Sequence, residues 1–458
     1  MTVASPRPRP ARQGLTDFTL PVERADIDEI ARIAAAPEWL VADRSAAFDA
    51  FEALPAETNL LYTTYIDLRG AQLAGARLHR FPLTAPVPVA LPDGSDGLLE
   101  LTEGDITASV LSADAVAAGV ELTTIAELLR RRPDRARELL DGGASLPVDD
   151  RFAQLTRALW TQGVVLDIPD GVRLDRPIVV RWVAGRPDRA VIGRTFVTLG
   201  DGAAATLLEE LVASDDAGAD GGQSFLAGTL EVMLGREANL EVASLQELPA
   251  ATVAFQHRNA VIGEGATLHW ALAHLGSRLV RSRVDNRLEG DRSSVEQVEI
   301  VFGGGDQLFD LTSYTRHVGR DTTGNLLSKG ALLDRARSFM KGMIVIDRSA
   351  VGTDSFLGEF GMNLSKATRS VAIPSLEIDQ PDCRRAAHAS SVGPIDETQL
   401  FYLESRGIPP DEARKFIVLG FLEPVVARVP LADARDRLRG LLEHKWDAGT
   451  GPGAVAAA

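Results

Sequence analysis

Cysteine is almost absent from this chain: 458 residues carry one, Cys383. A single thiol excludes an internal disulfide framework and any metal or cluster site built from four thiolates of this chain. Aromatic residues are also scarce, at 5%, so Ala, Val, Leu and Gly carry most of the apolar burden, which predicts a core of many small repeated layers. No apolar run reaches the roughly 18–20 residues needed to cross a bilayer. Residues Met1 to Gln13 are rich in Pro and Arg but lack an apolar centre, unlike a secretory signal. They and Gly449 to Ala458 are expected to be disordered tails, and the protein is expected to be soluble and cytoplasmic. Basic residues are outnumbered, 48 against 64 acidic, for a net charge of −16. That surface repels phosphate backbones and argues against nucleic-acid binding. Enzyme signatures are missing too. There is no G-x-x-x-x-G-K-[ST] loop, H-E-x-x-H or G-x-S-x-G. Gly303-Gly304-Gly305 is a glycine run without a following helix, which reads as a turn rather than a phosphate cradle.

What is present falls into three zones. Residues 1–160 hold helical patterns at Val22–Ala36, Asp43–Ala53 and Thr123–Asp141, the last split by Pro133 and stopped at Asp141-Gly142-Gly143. A few strands are expected between them, as at Phe81–Leu91. Residues 161–393 read as short β-branched segments separated by turns. A turn recurs there: Leu199-Gly200-Asp201-Gly202-Ala203, Leu234-Gly235-Arg236-Glu237-Ala238, Ile262-Gly263-Glu264-Gly265-Ala266 and, more loosely, Leu288-Glu289-Gly290-Asp291. Strand–turn–strand units of this kind fit stacked coils of a solenoid or the meander of a β-sandwich, and the pattern leaves both open. Residues 394–458 are helical, with an apolar surface larger than the module can bury alone, so it is expected to dock onto something. The fold class expected is mainly β.

Candidate chemistry is sparse. His257, His269 and His274 lie in neighbouring strands and would form a metal site only if they stacked; without ligand spacing, separate structural roles are the simpler reading. Cys383 and His388 lie close together where the strand zone meets the helical module, and thiolate and imidazole are both iron ligands. Asp347, Asp354 and Glu359 would serve a solenoid enzyme acting on polysaccharide, although neither secretion nor sugar-stacking aromatics are evident.

From Thr315 onward the order of segments resembles a known family. His317-Val318-Gly319-Arg320-Asp321-Thr322, Lys329-Gly330-Ala331-Leu332, Asn363-Leu364-Ser365 and Pro374-Ser375-Leu376-Glu377-Ile378 carry the likeness. So do His388 through Gly393, Gln399-Leu400-Phe401-Tyr402-Leu403 and Ser405-Arg406-Gly407-Ile408. They resemble the SufB/SufD family of iron–sulfur cluster assembly scaffolds, in its SufD branch. The resemblance implies a right-handed parallel β-helix core flanked by helical regions, and no catalytic residues or ATPase activity of its own. It implies pairing with a SufB-like subunit through the end of the β-helix and docking of a SufC-like ATPase on the C-terminal helices. It implies a cysteine desulfurase acting indirectly, and it leaves open a homodimer without SufB as the alternative to the heterocomplex. His388 falls on the histidine that helps hold a nascent, transient iron–sulfur cluster shared with SufB, with Cys383 as a further metal-ligand candidate; no nucleotide is bound directly. Thr368 stands near the SufB reactive cysteine and Ala389 where SufB has a glutamate, so both departures favour SufD over a SufB-like paralogue. The usual SufD cysteine would lie nearer Ala386.

Overall fold

A computed structural model describes residues 14–79, 87–141, 146–217, 219–429 and 431–450. The tail at residues 1–13, most of the one at the other end, Gly142, Gly143 and residues 81–86 of the expected Phe81–Leu91 strand lie outside them. The chain opens with helices α1 (Arg24–Ala34) and α2 (Glu38–Ala53). Strands β1 (Arg77–Leu78), β2 (Gly97–Thr102), β3 (Asp105–Leu111) and β4 (Glu121–Thr124) follow, with helix α3 (Ala113–Ala117) before β4. Next come α4 (Ile125–Arg131), α5 (Pro133–Asp141) and α6 (Arg151–Leu159). The long strand series is β5 (Gln162–Ile168), β6 (Ile178–Ala184), β7 (Arg189–Leu199), β8 (Ala204–Ala213), β9 (Ser224–Leu234), β10 (Asn239–Glu247), β11 (Thr252–Ile262) and β12 (Thr267–His274). It continues through β13 (Leu279–Leu288), β14 (Ser294–Gly303), β15 (Leu308–His317), β16 (Thr323–Leu332), β17 (Arg337–Ile346), β18 (Asp354–Asn363), β19 (Arg369–Ile378) and β20 (Arg385–Pro394). Helices α7 (Glu397–Ser405), α8 (Pro410–Val426) and α9 (Ala432–Thr450) complete the described chain.

Consecutive long strands alternate between two sheets, and each pairs in parallel with the strand two places on. The odd sheet runs from β5 to β19 and the even sheet from β6 to β20. This is a β-solenoid of about eight turns, which decides between the two architectures the repeat left open. The corners explain why the repeat was only loosely visible. The first glycine of each corner is needed for space: a Cβ at Gly263 would lie 2.6 Å from the Leu234 carbonyl oxygen, and one at Gly290 2.0 Å from the Glu264 nitrogen. The next left-handed position is less restrictive. Gly202, Gly265 and Gly352 fill it in some turns, but Glu237, Arg292 and Asp321 fill it in others at φ of 54–58°. At each of these corners the left-handed residue donates its N–H to the next coil, as Arg292 does to Arg320 O at 2.7 Å. That bond offsets the roughly 1–2 kcal/mol cost of the conformation.

The two ends of the solenoid differ. At its start, β4 pairs antiparallel with β5, and the β2–β3 hairpin adds to β6, so the first coil is covered. A few strands are expected between the N-terminal helices, and β2, β3 and β4 lie there; the helix expected from Thr123 begins at Ile125 with Thr124 as its cap. At the far end, among the described residues, β19 and β20 have no further strand beside them.

Each outer face carries its own cover. Over the odd sheet lies the N-terminal region, where the few aromatics concentrate: Phe18, Phe152, Phe225 and Phe255 meet with ring centroids 4.7–5.8 Å apart. Arg44 of α2, buried over the Trp160 ring at 4.1 Å, donates to Ala158 O and Trp160 O and so ties α2 to the end of α6. Asp150 caps α6 by accepting from Phe152 and Ala153 N–H, and also from His257 Nε2 at 3.0 Å and Arg283 at 3.1 Å. Burial would push this carboxyl up, but His257, Arg283 and Arg281 hold it well below the usual carboxylate range. Over the even sheet lie α8 and α9, where Val418, Leu422, Leu438, Leu442 and Trp446 pack on Ala271, Ile300 and Phe302. Replacing Asp150 by alanine is expected to strand buried His257 without its acceptor and to leave Arg283 with Asp285 as its remaining close carboxylate. The cost should be about 3–5 kcal/mol, read as a lower denaturant midpoint in chemical unfolding.

Candidate functional site

In-register stacking turns each interior position into a column. One column reads Ile178, Leu207, Val242, Trp270, Gln297, Leu326, Leu357 and His388. Every member except the last is buried. His388 is in register with core residue Leu357, yet it is exposed because no ninth coil covers it. The imidazole therefore stands at the open mouth of an apolar interior. Beside it on the same strand is Ser390, and Pro374 and Leu376 of β19 occupy the facing interior positions.

The neighbouring interior column is polar: Glu209, Ser244, Leu272, Glu299, Ser328, Glu359 and Ser390. Its carboxylates differ in their partners. Glu209 accepts from Arg258 at 2.7 Å, and Glu299 accepts from Ser282 and bonds His274 at 2.9 Å. Glu359, one coil below the mouth and in register with Ser390, has no partner for its Oε2 among the described residues. Burial pushes its carboxyl up to about 8; the Ile373 backbone N–H pulls it down and Glu299 adds to the rise.

Other sequence candidates are dispersed. His257 lies beneath α6 against Asp150, His274 is inside the solenoid, and His269 is half-exposed 3.9 Å from Glu241. They do not stack, and no group of three or more His, Cys, Asp or Glu among the described residues could hold a metal. His317 is fully buried between Thr322 and Ser355, and burial lowers it to about 4, which makes it a neutral structural imidazole. Cys383 sits half-buried in the turn before β20, against the Leu326–Ile344–Leu357 cluster. Thr368 closes the turn before β19 through its bond to Ser365 O. Asp347 pairs with Arg316, Asp354 with Arg385, and Glu359 faces inward, so the three acids of the polysaccharide reading share no site. The sequence named Glu359 only as one of three acids for a polysaccharide enzyme; its place in an interior column, one coil below the mouth, is legible only in the fold.

A family model described as SUF system FeS cluster assembly, SufBD core domain, matches residues 182–421. The chain belongs to the SufBD family. The iron–sulfur cluster assembly protein SufD of Bacillus subtilis is 28% identical over 339 residues, which cover 73% of this chain and 76% of that protein. A SufBD family protein of Mycobacterium tuberculosis is 31% identical over 228 residues, or 48% of this chain and 57% of its own length. One from Staphylococcus saprophyticus is 25% identical over 283 residues, 62% of this chain and 60% of its own. Among SufBD proteins the chain is SufD-like. No helix among the described residues is long and apolar enough to cross a membrane.

The Glu359 carboxyl gives the open end of this SufBD chain a measurable pH signature. Its folded value, about 8, lies above the 4.5 of the free group, so its contribution to stability is full below pH 4.5 and lost as pH rises through 8. Glu359→Gln is expected to flatten that slope, leaving the variant more stable than the parent above pH 8 by a few kcal/mol. Urea unfolding across pH 5–9 checks this.

Proposed function

We propose that this chain is the SufD-like subunit of a SufB–SufC–SufD complex, a scaffold that hydrolyses no nucleotide itself and helps assemble iron–sulfur clusters as cargo. The observation that carries the reading is the open solenoid end, where an exposed histidine terminates an otherwise buried interior column. Edge strands β19 and β20 are ten residues each, with a free row of backbone N–H and C=O groups. Edges of this length are templates for strand addition, and a SufB-like solenoid end is the proposed occupant. A second copy of this chain takes its place where that subunit is missing.

In the joined interface His388 supplies a neutral imidazole nitrogen to iron of the nascent cluster, and the partner supplies the thiolates this chain lacks. Cys383 lies in the turn leading into the same strand and is a lesser metal-ligand candidate. Burying the junction between two solenoid ends excludes water from the cargo. The sulfur comes from a desulfurase acting through the partner.

The C-terminal helices supply the second contact. Helices α8 and α9 are held on the even sheet, but α7 has no buried residue. Phe401 is 71% exposed and Phe416 of α8 63%, an aromatic pair of the kind that anchors protein interfaces. A SufC-like ATPase is the proposed partner there, coupling its nucleotide cycle to the solenoid through these helices.

His388→Ala removes an exposed side chain, so the complex should still co-purify while cluster yield in reconstitution falls severalfold; an unchanged yield would exclude the assigned role. Phe401→Ser combined with Phe416→Ser should cut recovery of the ATPase subunit at least tenfold, with the solenoid's thermal midpoint unmoved. Full recovery would place the ATPase elsewhere.

A further inference from the structure

A groove of about 990 Å³ runs along the outer face of the odd sheet, away from the interior column and the C-terminal helices. Its floor crosses β11, β13, β15, β17 and β19, and its wall is formed by residues 58–59 and 146–149 of the N-terminal region. At the strand spacing of about 4.8 Å, the floor is roughly 19 Å long, enough for about six extended residues.

The groove is acidic after its internal pairs are satisfied. Arg283 is held by Asp285 at 2.8 Å and lies 3.9 Å from Asp149; Arg287 pairs with Glu289, and Arg316 with Asp347 at 2.9 Å. Those three guanidiniums are therefore committed. Glu377 and Asp379, at the β19 end, have no cationic partner among the described residues. Six carboxylates against three guanidiniums leave the lining with three negative charges.

A second observation points to a ligand. Asn259 in the floor is 5% exposed, yet its Nδ2 has no hydrogen-bond partner among the described residues. A buried amide donor left unpaired costs on the order of 1–3 kcal/mol, so an acceptor arriving in the groove would be favoured. Val148 of the wall is 71% exposed, and Leu60 and Leu61, which follow groove residue Asn59 in the chain, are 86% and 55% exposed.

We infer that this groove is a docking site for a basic polypeptide segment of a partner protein, in which arginine or lysine alternates with apolar side chains. Its cations meet Glu377 and Asp379, a backbone carbonyl accepts from Asn259, and an apolar side chain covers the Leu60–Leu61–Val148 ledge. Phosphate-bearing ligands are repelled by the same charge. A bare polyamine would use the carboxylates but neither the amide donor nor the ledge.

The test is fluorescence anisotropy of the full chain with a labelled peptide alternating arginine and leucine. Glu377→Gln with Asp379→Asn should weaken binding roughly tenfold, and Leu60→Ser with Leu61→Ser severalfold. Asp411→Asn with Glu412→Gln, which removes the same charge from α8, should leave it unchanged. Equal binding by the groove variants, equal weakening by the α8 variant, or displacement of the peptide by spermine at matched charge would each overturn the proposal. The first would put the peptide elsewhere, the second would reduce it to long-range charge, and the third would make the groove a polyamine site.

Discussion

In-register parallel pairing between one coil and the next is the interaction on which the rest of this structure depends. Because every strand of a sheet meets the next without slipping, like positions stack: interior with interior, corner with corner. The interior columns and the ladder of corner hydrogen bonds are consequences of that one pairing rule. It also creates a problem that cannot be solved within the stack. A stack must end, and its last strands keep an unpaired row of backbone groups. The chain resolves this at the start of the solenoid with the antiparallel β2–β3 hairpin and β4. At the other end no described residue adds a strand, and there an interior column surfaces as His388.

The outer faces follow a different logic, because each is covered by another part of the chain. The N-terminal region holds the odd sheet through directional contacts, with Asp150, Arg281, Arg283, Asp310 and Lys341 buried together beneath it. A buried ionic network of this kind gives up desolvation energy in return for a single docking geometry. The C-terminal helices hold the even sheet with apolar contacts, two pinned lysines and the ion pairs of Arg437 with Glu210 and Arg428 with Glu296. Lys329 donates to Phe421 O at 2.7 Å, and Lys445 to Gln307 Oε1 at 2.9 Å; burial lowers Lys445 to about 7.

Much of this was legible along the chain. The β-rich zone, the corner glycines and the split at Pro133 are local signals, and local signals survive in a linear reading. Strands between the N-terminal helices were expected, but the positions of β2, β3 and β4 were not legible, because they are strands by virtue of the coil they cover. Helix α9 also continues to Thr450, past the tail expected from Gly449, since its last turns run on beyond the anchor at Trp446.

The sequence by itself bounded the chemistry open to this chain: one cysteine cannot build an all-thiolate cluster site, and no nucleotide-loop motif is written in it. It also determined His388 as the residue to watch, through the motif around it. Only the tertiary structure decided why that histidine is available. Its strand is the last in a sheet, so a position buried in every earlier coil is open in this one. The same stacking decided that His257, His269 and His274 face three different surroundings, and that Glu359 lies inside the wall while Glu377 lies outside it. Strand residues two apart share a face, but which face is the interior, and where the stack stops, are properties of the assembled coils.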